Sequence, residues 1–131
     1  MKKAISTPDA PGAIGTYSQA VRAGDTVYLS GQIPLDPKTM QIVEGFDNQV
    51  RRVFDNLQAV CRAAGGDFDK VVRVTVYLTD MKKDFPTYNR LWAEYFKDVP
   101  TPPCRTTLGI TALPTPISIE LKCIAVLPEG S

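Results

Sequence analysis

The sequence predicts an α+β domain in which one mixed β-sheet is covered on one face by two α-helices. The 131 residues suit one domain, so residues 1–131 are expected to fold as a single unit. Two segments have the apolar spacing of amphipathic helices. The segments around them have the pattern of short strands and are bounded by glycine and proline. The elements therefore follow in the order β-β-α-β-α-β-β, with room for one further short strand at the N-terminus.

The first two strands are predicted to form a hairpin. Residues 14–21 and 26–30 lie on either side of Gly24-Asp25, a pair of residues typical of a tight turn, and residues 26–30 form a short apolar run.

Two amphipathic helices are predicted in the middle of the chain. In the first, apolar residues recur at steps of 3, 4 and 1 from Phe46 to Ala64, and a glycine pair follows. The second is predicted to begin at Asp84 as its N-cap, with Pro86 in the first turn, where a missing N–H costs no hydrogen bond. Pro100 marks its end.

The remaining strands are predicted at residues 71–79, 105–110 and 117–126. In residues 71–79, the side chains of Val72, Val74, Val76 and Leu78 share one face. Right-handed crossovers would put both helices on the same face of the sheet. The opposite face mixes apolar with charged residues and has no cover in its own chain, which predicts packing against another subunit.

The composition excludes several classes of function. Fifteen basic and fourteen acidic residues leave a net charge of +1, which argues against a dedicated nucleic-acid binder. The chain has no histidine, so Ser-His and Cys-His nucleophiles and histidine-ligated metals are excluded. Cys61, Cys104 and Cys123 form no CxxC pair, so we expect free thiols and no metal site. Neither a membrane-spanning segment nor a signal peptide is evident, and a cytoplasmic protein is expected.

A series of short motifs resembles the RidA (YjgF) family of imine deaminases. The resemblance covers essentially the whole chain and keeps the order of the family's motifs. The matching segments are residues 10–20, Leu29-Ser30-Gly31-Gln32-Ile33-Pro34, Asp36-Pro37, Asn56-Leu57, residues 63–65, residues 72–76, Asp84-Phe85, Tyr88-Asn89, Pro103-Cys104-Arg105, Leu113-Pro114 and Ile119-Glu120.

This resemblance implies a chorismate-mutase-like fold that assembles as a homotrimer with active sites between subunits. It also implies hydrolysis of 2-imino acids, such as 2-iminopropanoate and 2-iminobutanoate, to 2-keto acids and ammonia, without a cofactor. Such imines arise when pyridoxal-phosphate dehydratases release enamines such as 2-aminoacrylate, so the implied role is protection against these reactive compounds.

Two charged residues are the principal catalytic candidates. The resemblance implies that Arg105 binds the substrate carboxylate, a task that suits a planar guanidinium. It implies that Glu120 orients and deprotonates the attacking water, and a carboxylate is a reasonable base where histidine is absent. From the residues alone, a surface ion pair for Arg105 and a solvated strand face for Glu120 remain open.

Further site residues follow from the same resemblance. Tyr17 is expected to be a third catalytic residue that closes the cleft and hydrogen-bonds there, although packing alone would also explain an aromatic residue at this position. The backbone at Ser30-Gly31 is expected to approach the ligand, with a simple strand-end turn as the alternative. Thr107 is expected to contribute its backbone and its hydroxyl. Asn89 is interpreted as a structural hydrogen-bonding residue inside the helix pair.

The chain departs from the family pattern in a few places. Thr16 replaces a usual proline, Cys104 and Thr106 replace small residues, and Lys122 replaces a usual second glutamate. Thr107 occupies a position where some members have cysteine, which argues against a thiol nucleophile. Two alternatives remain: a trimer that binds small molecules with little turnover, and a ribonuclease or translation inhibitor, which the near-neutral charge and absent histidine disfavour.

Overall fold

The computed structural model describes residues 1–128, so the last three residues of the predicted domain lie outside the described part. It contains a six-stranded sheet and two α-helices. The order of elements confirms the prediction, with β1 as the additional N-terminal strand. The elements are β1 (Lys2–Ile5), β2 (Ala20–Ala23), β3 (Thr26–Leu29), α1 (Phe46–Ala63), β4 (Val71–Leu78), α2 (Met81–Phe96), β5 (Cys104–Gly109) and β6 (Ile119–Val126).

The sheet is mixed, as predicted, with strand order β1-β2-β3-β6-β4-β5. Strands β4 and β5 pair in parallel, and every other neighbouring pair is antiparallel. Helix α1 crosses from β3 to β4, and α2 crosses from β4 to its parallel neighbour β5. Strand β6 returns between β3 and β4, which brings the start of β6 close to the loop that follows β3.

Both helices pack on one face of the sheet and share one hydrophobic core with it. Val53, Phe54 and Leu57 of α1 and Val74 and Val76 of β4 are fully buried in this core. We call this side the covered face. The other side, which we call the open face, carries Tyr28, Arg73, Thr75, Tyr77, Glu120, Lys122 and Ile124.

The predicted N-cap of the second helix was wrong by four residues. Helix α2 begins at Met81, and its N-cap is Asp80, whose Oδ1 accepts a hydrogen bond from the backbone N–H of Lys83 at 3.3 Å. The backbone N–H of Asp84 already donates to the carbonyl of Asp80 at 2.9 Å, so Asp84 lies inside the helix. Pro86 is therefore an interior residue of α2 rather than a first-turn residue.

Two strand predictions also need correction. The pairing of β4 with β6 shifts between Val71 and Arg73, so Val71 is buried and Val72 is exposed instead of facing the core. The first strand of the hairpin is only Ala20–Ala23, because the preceding residues form an irregular loop.

Within residues 1–128, no helix is both long enough and apolar enough to cross a bilayer.

Candidate active site

Arg105 lies on the covered face, against the aromatic side of α2. Its strand partner is the buried Val74, so the side chain points toward the helices from the edge strand β5. The guanidinium carbon lies 5.0 Å from the ring centroid of Trp92, 5.5 Å from that of Tyr88 and 5.9 Å from that of Phe85. Contact with these ring faces stabilises the cation by cation–π attraction and limits its movement.

Two hydrogen bonds orient this guanidinium. Nη2 donates to Asn89 Oδ1 at 2.7 Å, and Nη1 donates to the Tyr88 hydroxyl at 3.4 Å. The Tyr88 hydroxyl also lies 3.3 Å from Thr107 Oγ1, and burial raises the pKa of Tyr88, so the phenol stays protonated near neutral pH. A guanidinium has five N–H donors, so donors remain for a carboxylate ligand.

The predicted location of Asn89 inside the helix pair was wrong. Its side chain is exposed rather than enclosed between the helices, and its amide oxygen accepts from Arg105. The sequence alone could not show this, because the contact depends on the parallel register of β5 beside β4.

A second group of predicted residues surrounds a different cavity. This cavity has a volume of about 390 Å³ and opens on the side of the sheet that carries Glu120. Four of the residues predicted from the sequence line it, together with residues of the loop before β6. The lining residues are Ile14, Tyr17, Ser30, Gly31, Ile33, Pro114, Thr115 and Glu120.

Gly31 and Glu120 are in direct contact across this cavity. A Cβ atom added to Gly31 would lie 2.8 Å from Cδ of Glu120 and closer still to one carboxylate oxygen. Any side chain at position 31 would therefore displace the Glu120 carboxylate, and glycine permits this close approach. The prediction that the backbone approaches a ligand here remains a prediction.

The environment of Glu120 favours its protonated form more than water does. Partial burial raises the pKa of the carboxyl above its usual value, and the positive charge of Lys122 partly opposes this increase. This increase moves the pKa of Glu120 toward neutral pH. A general base is most effective when its pKa lies near the operating pH.

Local hydrogen bonds hold the loop that carries Tyr17. The buried amide of Gln19 accepts from the backbone N–H of Thr7 at 2.7 Å and donates to the carbonyl of Pro11 at 2.8 Å. The Tyr17 hydroxyl accepts from the backbone N–H of Ile14 at 3.4 Å, and half of the Tyr17 side chain remains exposed. Ser30 Oγ donates to the carbonyl of Ser18 at 2.6 Å, so the Ser30 hydroxyl positions this loop.

Sequence reasoning missed Thr115, which lines the same cavity as Glu120. Its Oγ1 is a buried side-chain oxygen without a hydrogen-bond partner in the described residues. Buried hydroxyls are rarely left unpaired, because desolvation without a partner costs free energy. A hydroxyl between two prolines, Pro114 and Pro116, is the sequence signal that would have drawn attention to it.

The structure thus divides the six predicted residues into two groups. Arg105 and Thr107 lie on the covered face beside α2, whereas Tyr17, Ser30, Gly31 and Glu120 meet at the second cavity. Glu120 pairs with Tyr77 on the open face, so a single chain does not bring Arg105 and Glu120 together. Among residues 1–128, no three Cys, Asp or Glu side chains are grouped so that they could hold a metal ion.

Comparison with known proteins identifies the family. A family model described as Endoribonuclease L-PSP matches residues 7–127. The chain is 43% identical over 122 residues to a RutC family protein of Aquifex aeolicus, covering 93% of this chain and 97% of that one. It is 42% identical over 127 residues to the 2-iminobutanoate/2-iminopropanoate deaminase of mouse, covering 96% of this chain and 92% of the relative.

A solved structure supports the same assignment. The crystal structure of RidA from an Antarctic Psychrobacter species superposes with a TM-score of 0.90 at 42% identity, covering 95% of this chain and 99% of that one. This chain therefore has the same fold as that protein, one sheet with two helices. From this fold and the match over residues 7–127, we conclude that the chain belongs to the RidA/YjgF family.

Proposed function

We propose that this protein hydrolyses small 2-imino acids to 2-keto acids and ammonia. One observation carries the proposal: the chain presents a guanidinium held by a hydrogen bond to Asn89 and, separately, a partly buried carboxylate beside a cavity. These are the two groups that imine hydrolysis needs, an anchor for the substrate carboxylate and a base for water. The name of the mouse relative supports 2-iminobutanoate and 2-iminopropanoate as substrates.

In this proposal, the active site forms between two subunits of a homotrimer. Arg105 and Thr107 of one subunit face the cavity around Tyr17 and Glu120 of the next, and three such clefts close a ring. The placement of Arg105 and Glu120 on opposite faces of one sheet supports this arrangement, because a cleft that contains both needs two chains. The exposed Tyr28 and Val126 on the open face are apolar surface available for subunit contact.

The proposed chemistry balances without a metal or a covalent intermediate. Arg105 binds the carboxylate of the iminium form of the substrate through two parallel hydrogen bonds. Glu120 accepts a proton from water as the water oxygen bonds to C2, which gives a neutral carbinolamine. Glu120 then returns that proton to the amino nitrogen. As the C–N bond breaks and ammonia leaves, the hydroxyl proton passes to Glu120 and from there to the ammonia, which leaves a 2-keto acid and an ammonium ion. Correct positioning and one base suffice for this reaction.

The substrate would come from pyridoxal-phosphate dehydratases, which release enamines that tautomerise to imines. The test therefore generates iminopropanoate in place with such a dehydratase acting on serine, and follows keto-acid release with and without the protein. We expect faster release with the wild type and no acceleration with Arg105→Ala. Arg90→Ala is the matched control, because Arg90 of α2 forms exposed ion pairs with Asp47 of α1 and with Glu94 of α2.

The same preparation distinguishes the alternatives. A protein that binds 2-ketobutyrate but does not accelerate keto-acid release would be a binding protein rather than an enzyme. The description of the family model as an endoribonuclease motivates a parallel assay with single-stranded RNA. Light scattering tests the assembly, and the mass of a single chain would contradict both the trimer and the shared site.

A further inference from the structure

A buried amide on helix α1 joins two loop segments that lead to the cavity around Glu120. The side chain of Gln49 is only 8% exposed. Its Oε1 accepts a hydrogen bond from the backbone N–H of Ser118 at 2.9 Å, and its Nε2 donates to the carbonyl of Val43 at 3.2 Å. Ser118 and Val43 both lie outside the helices and strands, so Gln49 supplies partners that regular backbone pairing does not.

The first of these bonds fixes the start of the strand that carries Glu120. Ser118 immediately precedes β6 and follows the loop in which Pro114 and Thr115 line the cavity. Its carbonyl accepts from the backbone N–H of Thr79 at 3.3 Å, and its own N–H donates to Gln49. Glu120 is two residues further along the same chain, so a shift of Ser118 moves the backbone from which the carboxylate projects.

The second bond reaches the opposite wall of the cavity. The backbone N–H of Val43 donates to the carbonyl of Pro34 at 3.0 Å, and Pro34 directly follows Ile33, which lines the cavity. Gly31, in contact with Glu120, belongs to the same wall. Gln49 therefore connects the wall before β6 with the wall after β3.

A second buried amide holds only one of these walls. Asn56 lies about two turns further along the same face of α1. Its Nδ2 donates to the carbonyl of Ile33 at 2.9 Å and to that of Leu35 at 3.0 Å. The wall after β3 therefore keeps side-chain support when Gln49 is replaced. The segment at Ser118 loses its bond to α1, so the start of β6 is the part that should move.

We propose that Gln49 is a positioning residue for the Glu120 carboxylate. It does not line the cavity itself, and it acts by holding the backbone at Ser118 so that the carboxylate stays in contact with Gly31. Its effect on catalysis rests on the proposed function, in which Glu120 is the base. Its effect on the location of the carboxylate does not depend on any activity.

Gln49 is neutral, so its replacement by methionine changes no charge near Glu120. The titratable and charged groups that face Glu120 all remain in this variant. They are Lys122 on β6, Tyr77 on β4, Tyr17 across the cavity and, in the proposed trimer, Arg105 of the neighbouring subunit. A change in the pKa of Glu120 would therefore report a change in the burial of its carboxyl.

The test replaces Gln49 by Met, which has a similar length and lacks both hydrogen-bonding groups. The pKa of Glu120 is measured by carbon NMR of its carboxyl over a pH series, with the signal assigned from Glu120→Gln. In Gln49→Met we expect this pKa to fall toward its ordinary value, because a displaced carboxyl is better hydrated. The kcat for keto-acid release should fall about tenfold or more. The KM and the affinity for 2-ketobutyrate should change little, because Arg105 holds the carboxylate.

Gln58→Met is the matched control. Gln58 is an amide on the same helix, and its Nε2 donates to Asp67 Oδ1 at 2.9 Å, away from the cavity. The control should keep the wild-type kcat and the wild-type pKa of Glu120. Gln49→Asn is a milder second variant, because its shorter amide cannot reach both partners at once, and it should shift both quantities in the same direction. Thermal melts establish that each variant is folded.

The possible results distinguish this inference from the proposed function. A wild-type pKa of Glu120 in folded Gln49→Met and Gln49→Asn would overturn the inference, whether or not the protein is a deaminase. An unchanged kcat in an active enzyme would also overturn it, as would an equal effect in Gln58→Met or an equal loss of 2-ketobutyrate affinity. If the wild type does not accelerate keto-acid release, the proposed function fails, and the pKa comparison still decides whether Gln49 positions Glu120.

Discussion

Arg105 and Glu120 project from opposite faces of one β-sheet. Arg105 lies beside the buried Val74 under the helices, and Glu120 lies beside Tyr77 on the open face. The separation follows from strand register, because side chains alternate between faces and paired residues share one. Any reaction that needs both groups must therefore use two copies of the chain.

This relationship predicts that two inactive variants will restore activity together. Arg105→Ala lacks the anchor and Glu120→Gln lacks the base, so each alone should be inactive or nearly so. When the two are mixed equally and reassembled, about one quarter of the interfaces should combine an intact Arg105 with an intact Glu120 in a cyclic trimer. Keto-acid release should recover to about that fraction of the wild-type rate. No recovery in verified mixed trimers would mean that both residues act within one chain.

Asn89→Ala should weaken ligand binding through Arg105. The amide oxygen of Asn89 accepts from Nη2 of Arg105 at 2.7 Å, and hydrogen bonds to charged groups contribute about 1.5–3 kcal/mol. Titration with 2-ketobutyrate should show affinity reduced about tenfold or more, and KM should rise more than kcat falls. Asn89→Asp should also bind poorly, because its charge competes with the substrate carboxylate for Arg105. Unchanged affinity in Asn89→Ala would exclude a positioning role.

The sequence predicted most of the fold because local patterns determine it. The apolar spacing of α1 and the alternation of β6 are visible in the chain, and both elements were predicted close to their observed bounds. Val72 was misplaced because a β-bulge interrupts the alternation, and a bulge depends on pairing with another strand. The start of α2 was misplaced because Asp80 and Asp84 are both suitable capping residues, and the backbone hydrogen bonds decide between them.

The candidate site was only partly predictable for a related reason. The apolar spacing of α2 was recognised, but the contact of Tyr88 and Trp92 with Arg105 depends on where β5 lies relative to α2. Likewise, the contact between Gly31 and Glu120 joins residues far apart in the chain. Residue identity indicated which side chains matter, and long-range register decided how they are grouped.

Asp80→Ala should destabilise the protein, whereas Asp84→Asn should not. Asp80 caps α2 through its side chain, and loss of such a cap costs about 1 kcal/mol of unfolding free energy. Burial raises the pKa of the Asp84 carboxyl in the folded protein. The protein therefore loses stability as the pH rises through this pKa and the carboxyl becomes charged. Asparagine carries no charge, so Asp84→Asn avoids this loss. Urea unfolding at neutral pH should separate the two variants. Equal destabilisation would show that Asp84 has a structural role of its own.

Thr107→Ala should retain substantial activity. The Thr107 hydroxyl lies 3.3 Å from the Tyr88 hydroxyl, and Tyr88 keeps its contact with Arg105 without it. A hydroxyl with no adjacent base is also a poor nucleophile. Keto-acid release by the correctly assembled variant checks this expectation. Complete inactivation would require a mechanism that depends on the hydroxyl.

Glu120→Gln should change the pH dependence of both stability and activity. Burial raises the folded-state pKa of Glu120, so the wild type loses stability as the pH rises through that pKa. Glutamine has no such charge, so the variant should be the more stable protein at neutral pH, and the difference should vanish in acid. Wild-type turnover should decline as the pH falls through the same raised pKa, because the base becomes protonated. Thermal melts and rates measured over a pH series test both trends.

At constant pH, Glu120→Gln tests the chemical step itself. Glutamine keeps the size of the side chain and can hydrogen-bond a water molecule, but it cannot accept the proton that the attacking water releases. Turnover should fall by about 10²–10⁴-fold, the range typical of general acid–base catalysis. Binding of 2-ketobutyrate should change little, because Arg105 holds the carboxylate. Equal loss of binding and turnover would show that Glu120 has a structural role. Unchanged turnover would show that the reaction needs only substrate orientation by Arg105 and attack by bulk water.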